Sequence, residues 1–388
     1  MLRSVVVEMH DRWGTVGSKN DASAPLADDG VPHRAGYLPA LDGVRAIAVA
    51  GVFLLHLARA YFPGGAFGVD VFFALSAFLI TGLLLNEIEA TGRVNFPAFY
   101  WRRAFRLIPA LLLWIVLASV TAVGVGEADK VPWSATGALF YFSDFLQAWT
   151  GNVAAAFDQA WSLSVEEQFY FVWPALFVFV ILRLSPRAQR IVLYASVAVA
   201  IAVAFTGPNY FLPTGHLLPL VIGCWAADQR ARGCDRWIEP IVRQPWIGLV
   251  AVAVFVFAAV TGFEGPVGAV VFVVVSFATG AILLNITGGR ENLTTKVLGS
   301  RVPSWIGARS YGIYLYGLTL MGLVPLLFVG ITLKFAAPID VVLTLVLVTL
   351  SYRFVEAPVR RLGRRWLRDR SRRAAPLSEG GSPEVTPS

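Results

Sequence analysis

The sequence predicts an all-α integral membrane protein, a bundle of about ten transmembrane helices, and three observations support this fold class. Of the 388 residues, 56% are hydrophobic and only 15% are charged, whereas soluble domains carry about 25% charged residues. The mean hydropathy is +0.65, and the apolar residues form long runs of the length that crosses a bilayer. Positive charge is also distributed unevenly among the connections between these runs, as membrane topology requires.

Ten apolar stretches are candidate membrane spans, because crossing the hydrocarbon core takes ~20 predominantly apolar residues. They lie at about 42–61, 69–85, 107–125, 169–184, 191–206, 213–228, 246–262, 266–285, 305–330 and 337–354. When the N-terminus is placed inside, the even-numbered connections contain most of the arginines. The positive-inside rule therefore predicts that both termini are cytoplasmic. The expected location is the cell inner (plasma) membrane, crossed many times.

Composition divides the chain into three parts. Residues 1–36 are polar and lack a continuous apolar core, which predicts a disordered cytoplasmic arm and not a signal peptide. Residues 37–362 form the predicted transmembrane domain. Residues 363–388 are basic at first and then rich in Pro, Ser and Glu, which predicts a disordered cytoplasmic tail. The arginines after the last span, Arg360 among them, are interpreted as a stop signal in contact with anionic lipids, in preference to a catalytic role.

Several other classes of protein and site are disfavoured. The net charge of +7 is compatible with nucleic-acid binding, but the basic residues lie between apolar runs, where cytoplasmic loops explain them. Cys224 and Cys234 provide no disulfide framework. The four histidines show no metal-ligand spacing. We therefore expect no metal site, no bound cofactor and no nucleic-acid partner.

Two ionisable residues, Arg45 and His56, lie within the first predicted span. They are eleven positions apart, so they share one helix face at an axial separation of ~16 Å. Ionisable groups inside a bilayer are costly and by default mark functional sites, which makes His56 a candidate general base. The structural alternative is that Arg45 reaches lipid phosphates while His56 is hydrogen-bonded in the bundle core.

Asp70 opens the second predicted span, across a hairpin turn from His56. A carboxylate beside a histidine fixes the tautomer of the ring and raises its basicity, as a general base requires. An aspartate near the start of a helix is also favoured as an N-cap. Both interpretations of Asp70 stay open at this point.

An arginine cluster follows the second span on the predicted cytoplasmic side. Arg103 and Arg106 are three positions apart and share a helix face, and Arg102 is adjacent. Guanidinium forks flanked by aromatic residues suit a phosphorylated nucleotide. Arginines below a span also serve simply to set topology.

Two adjacent carboxylates, Glu166 and Glu167, precede the fourth predicted span. Ser164 and Glu167 fit a capping box, S-x-x-E, which provides a structural explanation for Glu167. A capping box does not need Glu166, so Glu166 is the better functional candidate.

Taken together, these segments resemble the acyltransferase-3 family of bacterial membrane O-acyltransferases. The resemblance is carried by residues 41–56, 67–81, 99–109, 161–174 and 351–358, and it extends from about 36 to 362. It implies that Arg45 and His56 correspond to the family's R-x10-H pair. It also implies that Arg103 and Arg106 correspond to its R-x-x-R element, which is taken to contact the acyl-CoA donor.

The resemblance implies a ten-helix enzyme that takes an acyl group from cytoplasmic acyl-CoA. The expected acceptor is a hydroxyl of an envelope carbohydrate, a glycolipid or a secondary metabolite. We expect acyl-CoA to be held by the arginine cluster with Arg45 nearby, and the acceptor to approach from the outer side near Asp70 and Glu166. His56 then acts as the general base or forms an acyl-histidine, and these two routes stay open.

The sequence departs from the family pattern at three positions. Alanine stands at Ala77, where the family often has glycine; glycine stands at Gly317, where a histidine is common; and histidine stands at His216, where an arginine is frequent. The departure at Gly317 also allows a catalytically weakened sensor or partner subunit. The main alternative function is a transporter or flippase of a lipid-linked or acylated substrate, in which buried ionisable residues form a relay.

Overall fold

The computed structural model of the chain describes residues 37–289, 291–327 and 333–374, and within these ranges the secondary structure is helical, without a strand. Residues 1–36 and 375–388, in which the N-terminal arm and the end of the tail were predicted, lie outside the described residues. The α-helices, numbered in chain order, are α1 (Pro39–Leu57), α2 (Phe67–Thr91), α3 (Phe96–Gly124), α4 (Val131–Leu139), α5 (Ser143–Trp149), α6 (Ala160–Phe179), α7 (Pro186–Ala204), α8 (Leu217–Arg232), α9 (Glu239–Val242), α10 (Ile247–Thr261), α11 (Gly265–Thr287), α12 (Leu293–Leu298), α13 (Arg301–Ala308), α14 (Ser310–Leu327), α15 (Leu333–Ser351) and α16 (Ala357–Ala374).

Each of the ten apolar stretches coincides largely with a helix, but the described residues contain seven helices that are long and apolar enough to cross a membrane. These seven are Pro39–Leu57, Phe67–Thr91, Phe96–Gly124, Ala155–Arg183, Pro186–Ala204, Gly265–Thr287 and Ala336–Leu367. Helix α10 is apolar but shorter, and α8 has only 16 residues, the last of which include Arg230 and Arg232. The all-helical membrane architecture is confirmed, whereas the count of ten and the cytoplasmic termini remain predictions.

Local sequence signals explain where the first helices begin and end. Helix α1 begins at Pro39, whose fixed φ suits the first helical position. Helix α2 ends at Gly92, which adopts the left-handed conformation with φ of 72°. The side chain of Asn95 then caps α3 by accepting a hydrogen bond from the backbone N–H of Ala98 at 3.0 Å. Only a short loop therefore joins α2 to α3.

Small residues let the central helices approach closely, as is usual where helices associate in a bilayer. Gly223 of α8 lies against α2, so that a Cβ at this position would be 2.1 Å from the carbonyl oxygen of Ala74. Gly307 of α13 lies against α1, where a Cβ would be 1.7 Å from the carbonyl oxygen of Asp42. These contacts fix α1 and α2, the two helices that carry Arg45, His56 and Asp70.

The connection between α3 and α6 contains the two short helices α4 and α5. Ser134 of α4 ties this connection together by accepting a hydrogen bond from the backbone N–H of Ala154 at 2.9 Å. The predicted capping box at Ser164 is wrong, because α6 begins four residues earlier, at Ala160. The Ser164 hydroxyl instead donates to the carbonyl of Ala160 at 3.0 Å.

The C-terminal segment is helical beyond the predicted end of the membrane domain. Helix α15 continues through a π-helical turn, Tyr352–Glu356, into α16, so the expected boundary at residue 362 falls inside a continuous helix. Helix α16 packs on the start of α3, where Trp366 contacts Trp101 and Phe105 edge-on. The first part of the basic tail is therefore attached to the bundle.

Candidate active site

The arginine cluster lies at the end of the bundle where α1 and α3 begin, which we call the basic end; the opposite end, with His56 and Asp70, we call the distal end. At the basic end, Arg45 donates to Asp42 at 2.5 Å, and the Tyr37 hydroxyl donates to the other carboxylate oxygen of Asp42 at 2.5 Å. Burial and the Asp42 carboxylate raise the pKa of Tyr37, so Tyr37 stays a proton donor. Sequence reasoning missed Asp42 and Tyr37, although the i,i+3 spacing of Asp42 and Arg45 was a signal.

Arg103 forms a partly buried, two-pronged ion pair with Glu167. Its Nε lies 2.9 Å from both carboxylate oxygens of Glu167, and one of its terminal nitrogens lies 2.5 Å from Oε1. The guanidinium also stacks on the Tyr170 ring, with its central carbon 3.1 Å from the ring centroid. The guanidinium of Arg103, which the sequence assigned to the acyl-CoA donor, is therefore already occupied by Glu167. The role of Arg103 at this site is to connect α3 to α6.

Glu166 faces the interior on the same turn of α6. Its Oε1 accepts hydrogen bonds from the Ser76 hydroxyl and, at 2.5 Å, from the Tyr170 hydroxyl. Ser76 lies six positions after Asp70 in α2, about 9 Å farther toward the basic end. Glu166 therefore lies nearer to the arginine cluster than Asp70 does, and it is not beside Asp70, where the acceptor was expected.

Arg102 and Arg106 have different surroundings although they are close in sequence. Arg102 is half exposed and lies 3.7 Å from Glu87 at the rim. Arg106 points into the cluster, where Arg45, Arg103 and Arg360 are the positive charges that act on it. The structure gives Arg106 no hydrogen-bond or ion-pair partner among the described residues, and its side chain is accessible. Within the R-x-x-R element, Arg106 is thus the guanidinium that is available to an anionic ligand.

A column of hydroxyl groups continues from this cluster toward the distal end. The Tyr311 hydroxyl is buried without a hydrogen-bond partner among the described residues, close to Glu166 and Glu167. One turn farther along α14, the Tyr314 hydroxyl is hydrogen-bonded to the Ser162 hydroxyl at 2.6 Å. An unpartnered buried hydroxyl is costly, so Tyr311 marks a place where a ligand or water gains a hydrogen bond.

His56 is exposed near the end of α1, and its ring has a defined orientation. Its Nδ1 is 2.8 Å from the backbone carbonyl of Val52. Because a carbonyl only accepts, Nδ1 carries the proton, and Nε2 of the neutral ring has a free lone pair. The backbone, and not Asp70, therefore sets this tautomer. Phe53, on the same side of α1, packs on Gly317 of α14, so this face is directed toward α14.

Asp70 pairs with His216 instead of His56. The two side chains are buried, with Nδ1 of His216 at 2.7 Å from Oδ1 of Asp70 and Nε2 at 2.7 Å from the carbonyl of Tyr210. The His216 ring is also stacked on Trp161 at a centroid distance of 5.0 Å. The N-cap interpretation fails too, since Ala66 is the N-cap of α2 and no side chain caps it.

A cavity of about 950 Å³ opens at the distal end beside the Asp70–His216 pair. Arg59 and Glu264 add charge to its wall, and Tyr210 is among its aromatic residues. His56 is not among the residues that line it. Asp70 and His56 therefore belong to separate environments, and Asp70 is not positioned by this structure to assist proton transfer at His56.

The departures at Gly317 and Ala77 have packing explanations. A Cβ at position 317 would lie 2.6 Å from the ring of Phe53 and 3.2 Å from Thr344, so Phe53 fills the space in which the family's histidine would begin. Ala77 packs against Gly223, whose own Cβ would be 2.7 Å from that of Ala77. The methyl group added at Ala77 is accommodated by the absence of a side chain at Gly223.

Comparison with known proteins identifies the family. The acyltransferase domain model of the acyltransferase-3 family matches residues 38–352. The O-acetyltransferase OatA of Staphylococcus aureus strains NCTC 8325, COL and MRSA252 is 32% identical over 351 residues, which cover 84% of this chain and 58% of the relative. The chain thus spans less than two thirds of the length of these relatives, and no solved structure matches it. The match from residue 38 to residue 352, together with the arginine pair and His56, shows that the chain belongs to the acyltransferase-3 family.

Proposed function

We propose that the protein is a membrane O-acyltransferase that moves an acetyl or other short acyl group from cytoplasmic acyl-CoA to a hydroxyl group. The acceptor is an envelope carbohydrate, a glycolipid or a secondary metabolite. The names of the OatA relatives, which describe O-acetyl transfer, support the reaction class. The observation that carries the proposal is His56, whose Nδ1 is held by the carbonyl of Val52 while Nε2 is free to accept a proton.

The chemical step follows from this tautomer. Nε2 of His56 takes the proton of the acceptor hydroxyl while the hydroxyl oxygen attacks the thioester carbonyl carbon. The carbon–sulfur bond then breaks, the coenzyme leaves as a thiolate, and the imidazolium returns the proton to sulfur. In the two-step variant, Nε2 itself attacks the thioester carbonyl and the coenzyme leaves as a thiolate. The acceptor hydroxyl then attacks the acyl group on the ring, its proton passes to the thiolate, and the ring returns to its neutral form.

The donor enters at the basic end in this proposal. Arg106 and Arg45 attract its phosphates, while Arg103 is held by Glu167 and keeps α3 and α6 in place. The ~16 Å along α1 between Arg45 and His56 suits an extended pantetheine arm. The hydroxyl column of Tyr311, Tyr314 and Ser162 provides polar contacts along part of that distance.

The test is acyl transfer by purified protein in detergent, with acetyl-CoA and a panel of carbohydrate and glycolipid acceptors. His56→Ala should lower the rate by at least ~10²-fold if the ring is a general base. His56→Asn is the matched control, since its amide N–H replaces the Nδ1–H donor to Val52 but supplies no base. Loss of activity in both variants supports the proposal, whereas an active His56→Asn variant would reduce His56 to a structural role.

The same assay separates the enzyme from the transporter. Ester formation by purified protein in detergent, where no membrane separates two compartments, requires an enzyme. A transporter yields no acylated product under these conditions, whichever acceptor is supplied.

A further inference from the structure

The π-helical turn between α15 and α16 brings a further arginine, Arg360, to the cluster at the basic end. One extra residue per turn rotates the following helix by about 100° relative to a regular α-helix. The direction of Arg360 with respect to α15 therefore depends on the turn at Tyr352–Glu356. Single π turns inside α-helices are rare and occur frequently at functional sites.

Arg360 is held in place by the residues of this turn. Its terminal nitrogen lies 3.3 Å from Glu356, and its guanidinium stacks over the Tyr352 ring at 4.7 Å. Arg309, the residue after α13, also lies over the same Tyr352 ring at 4.8 Å. Tyr352 therefore contacts two guanidinium groups, an arrangement that a simple stop signal does not require.

The donor atoms of Arg360 are only partly used. Its Nε is buried and has no hydrogen-bond partner among the described residues. Its neighbour Arg106 likewise has no carboxylate partner there, whereas Arg45 is paired with Asp42 and Arg103 with Glu167. The buried Nε of Arg360 is costly while it is unsatisfied, so a ligand that accepts a hydrogen bond from it gains free energy.

We propose that Arg360 and Arg106 together grip phosphate oxygens of the coenzyme A moiety of the donor, with Tyr352 and Glu356 positioning Arg360. This inference rests on the proposed acyl-CoA donor and adds to it a residue from the opposite end of the chain. Two guanidinium forks on different helices suit a phosphate that presents several acceptor oxygens. The first turn of α16 is thus part of the donor site and not solely a topological signal.

Binding of coenzyme A, 3′-dephospho-coenzyme A and pantetheine to the purified full chain in phosphatidylcholine nanodiscs tests this proposal. Arg360→Ala should weaken coenzyme A binding about 10- to 100-fold, the range of a charge-assisted hydrogen bond. Arg360→Lys should lose less affinity for coenzyme A than Arg360→Ala, because lysine keeps the positive charge. The exposed neighbour Arg361 provides the matched control, and Arg361→Ala should bind coenzyme A as the unmodified protein does.

The other outcomes are distinct. Equal weakening of pantetheine, which has no phosphate, would show a structural effect and overturn the role of Arg360. Unchanged coenzyme A affinity in Arg360→Ala would also overturn the role of Arg360 and would leave anionic lipid as the partner of this arginine. The assignment of acyl-CoA as the donor would stand in that case. Absence of coenzyme A binding by the unmodified protein would overturn the donor itself, and with it this inference.

Discussion

Asp70 and His216 form a buried hydrogen-bonded pair that joins the first turn of α2 to the start of α8, with 2.7 Å between carboxylate oxygen and ring nitrogen. The second ring nitrogen of His216 also faces an acceptor, the carbonyl of Tyr210. Both ring nitrogens therefore have a polar partner inside the protein, as buried polar groups require. This pair stabilises the distal end instead of activating His56.

Removing one member of this pair should destabilise the protein. Asp70→Ala leaves Nδ1 of the buried His216 ring without a hydrogen-bond partner and should cost about 1–3 kcal/mol. The double variant Asp70→Ala/His216→Ala should cost less than the sum of the single variants. Thermal unfolding in detergent checks both expectations, with the exposed Asp129→Ala as control. Additive losses would show that the two side chains are not coupled.

Arg103 and Glu167 should behave as one unit. Their two-pronged geometry predicts a coupling energy of about 1–3 kcal/mol in a double-mutant cycle of Arg103→Ala and Glu167→Ala, measured from unfolding. Arg102→Ala should change stability little, because its contact with Glu87 is long and exposed. A larger effect from Arg102 than from Arg103 would contradict this assignment.

Asp42 should influence catalysis through Arg45. Asp42→Asn keeps the shape of the side chain but removes the charge that holds the Arg45 guanidinium. We expect kcat/KM for acetyl-CoA to fall about 10-fold, which is the loss expected when one charge-assisted hydrogen bond is removed. Tyr37→Phe removes the hydrogen bond that Tyr37 donates to Asp42 and should have a smaller effect. Full activity of Asp42→Asn would show that Arg45 needs no orientation.

Position 317 should not tolerate a side chain while Phe53 is present. Gly317→Ala places its methyl group against the Phe53 ring, and overpacking of this kind costs typically 1–3 kcal/mol. The double variant Gly317→Ala/Phe53→Leu should recover part of that loss, because leucine frees the space of the ring. Unfolding temperatures of the two variants provide the test, and an unaffected Gly317→Ala variant would be the contrary result.

Sequence reasoning found the individual site residues but not their partners. The i,i+3 and i,i+11 spacings along single helices placed Arg103 with Arg106 and Arg45 with His56 on common faces, because helix geometry is local. The pairs Arg103–Glu167 and Asp70–His216 join residues 64 and 146 positions apart. Contacts between residues this far apart in the chain are set by helix packing. The periodicity of the sequence carries no information about that packing.

By itself, the sequence determined the all-helical membrane architecture and the family, because a bilayer demands apolar runs and the motifs are contiguous in the chain. Only the tertiary structure decided the role of Asp70. The sequence placed this aspartate across a short hairpin from His56, but α8 brings His216 to its carboxylate, and the backbone carbonyl of Val52 holds the ring of His56. A buried polar side chain takes the partner that packing presents, and proximity in sequence does not determine which partner that is.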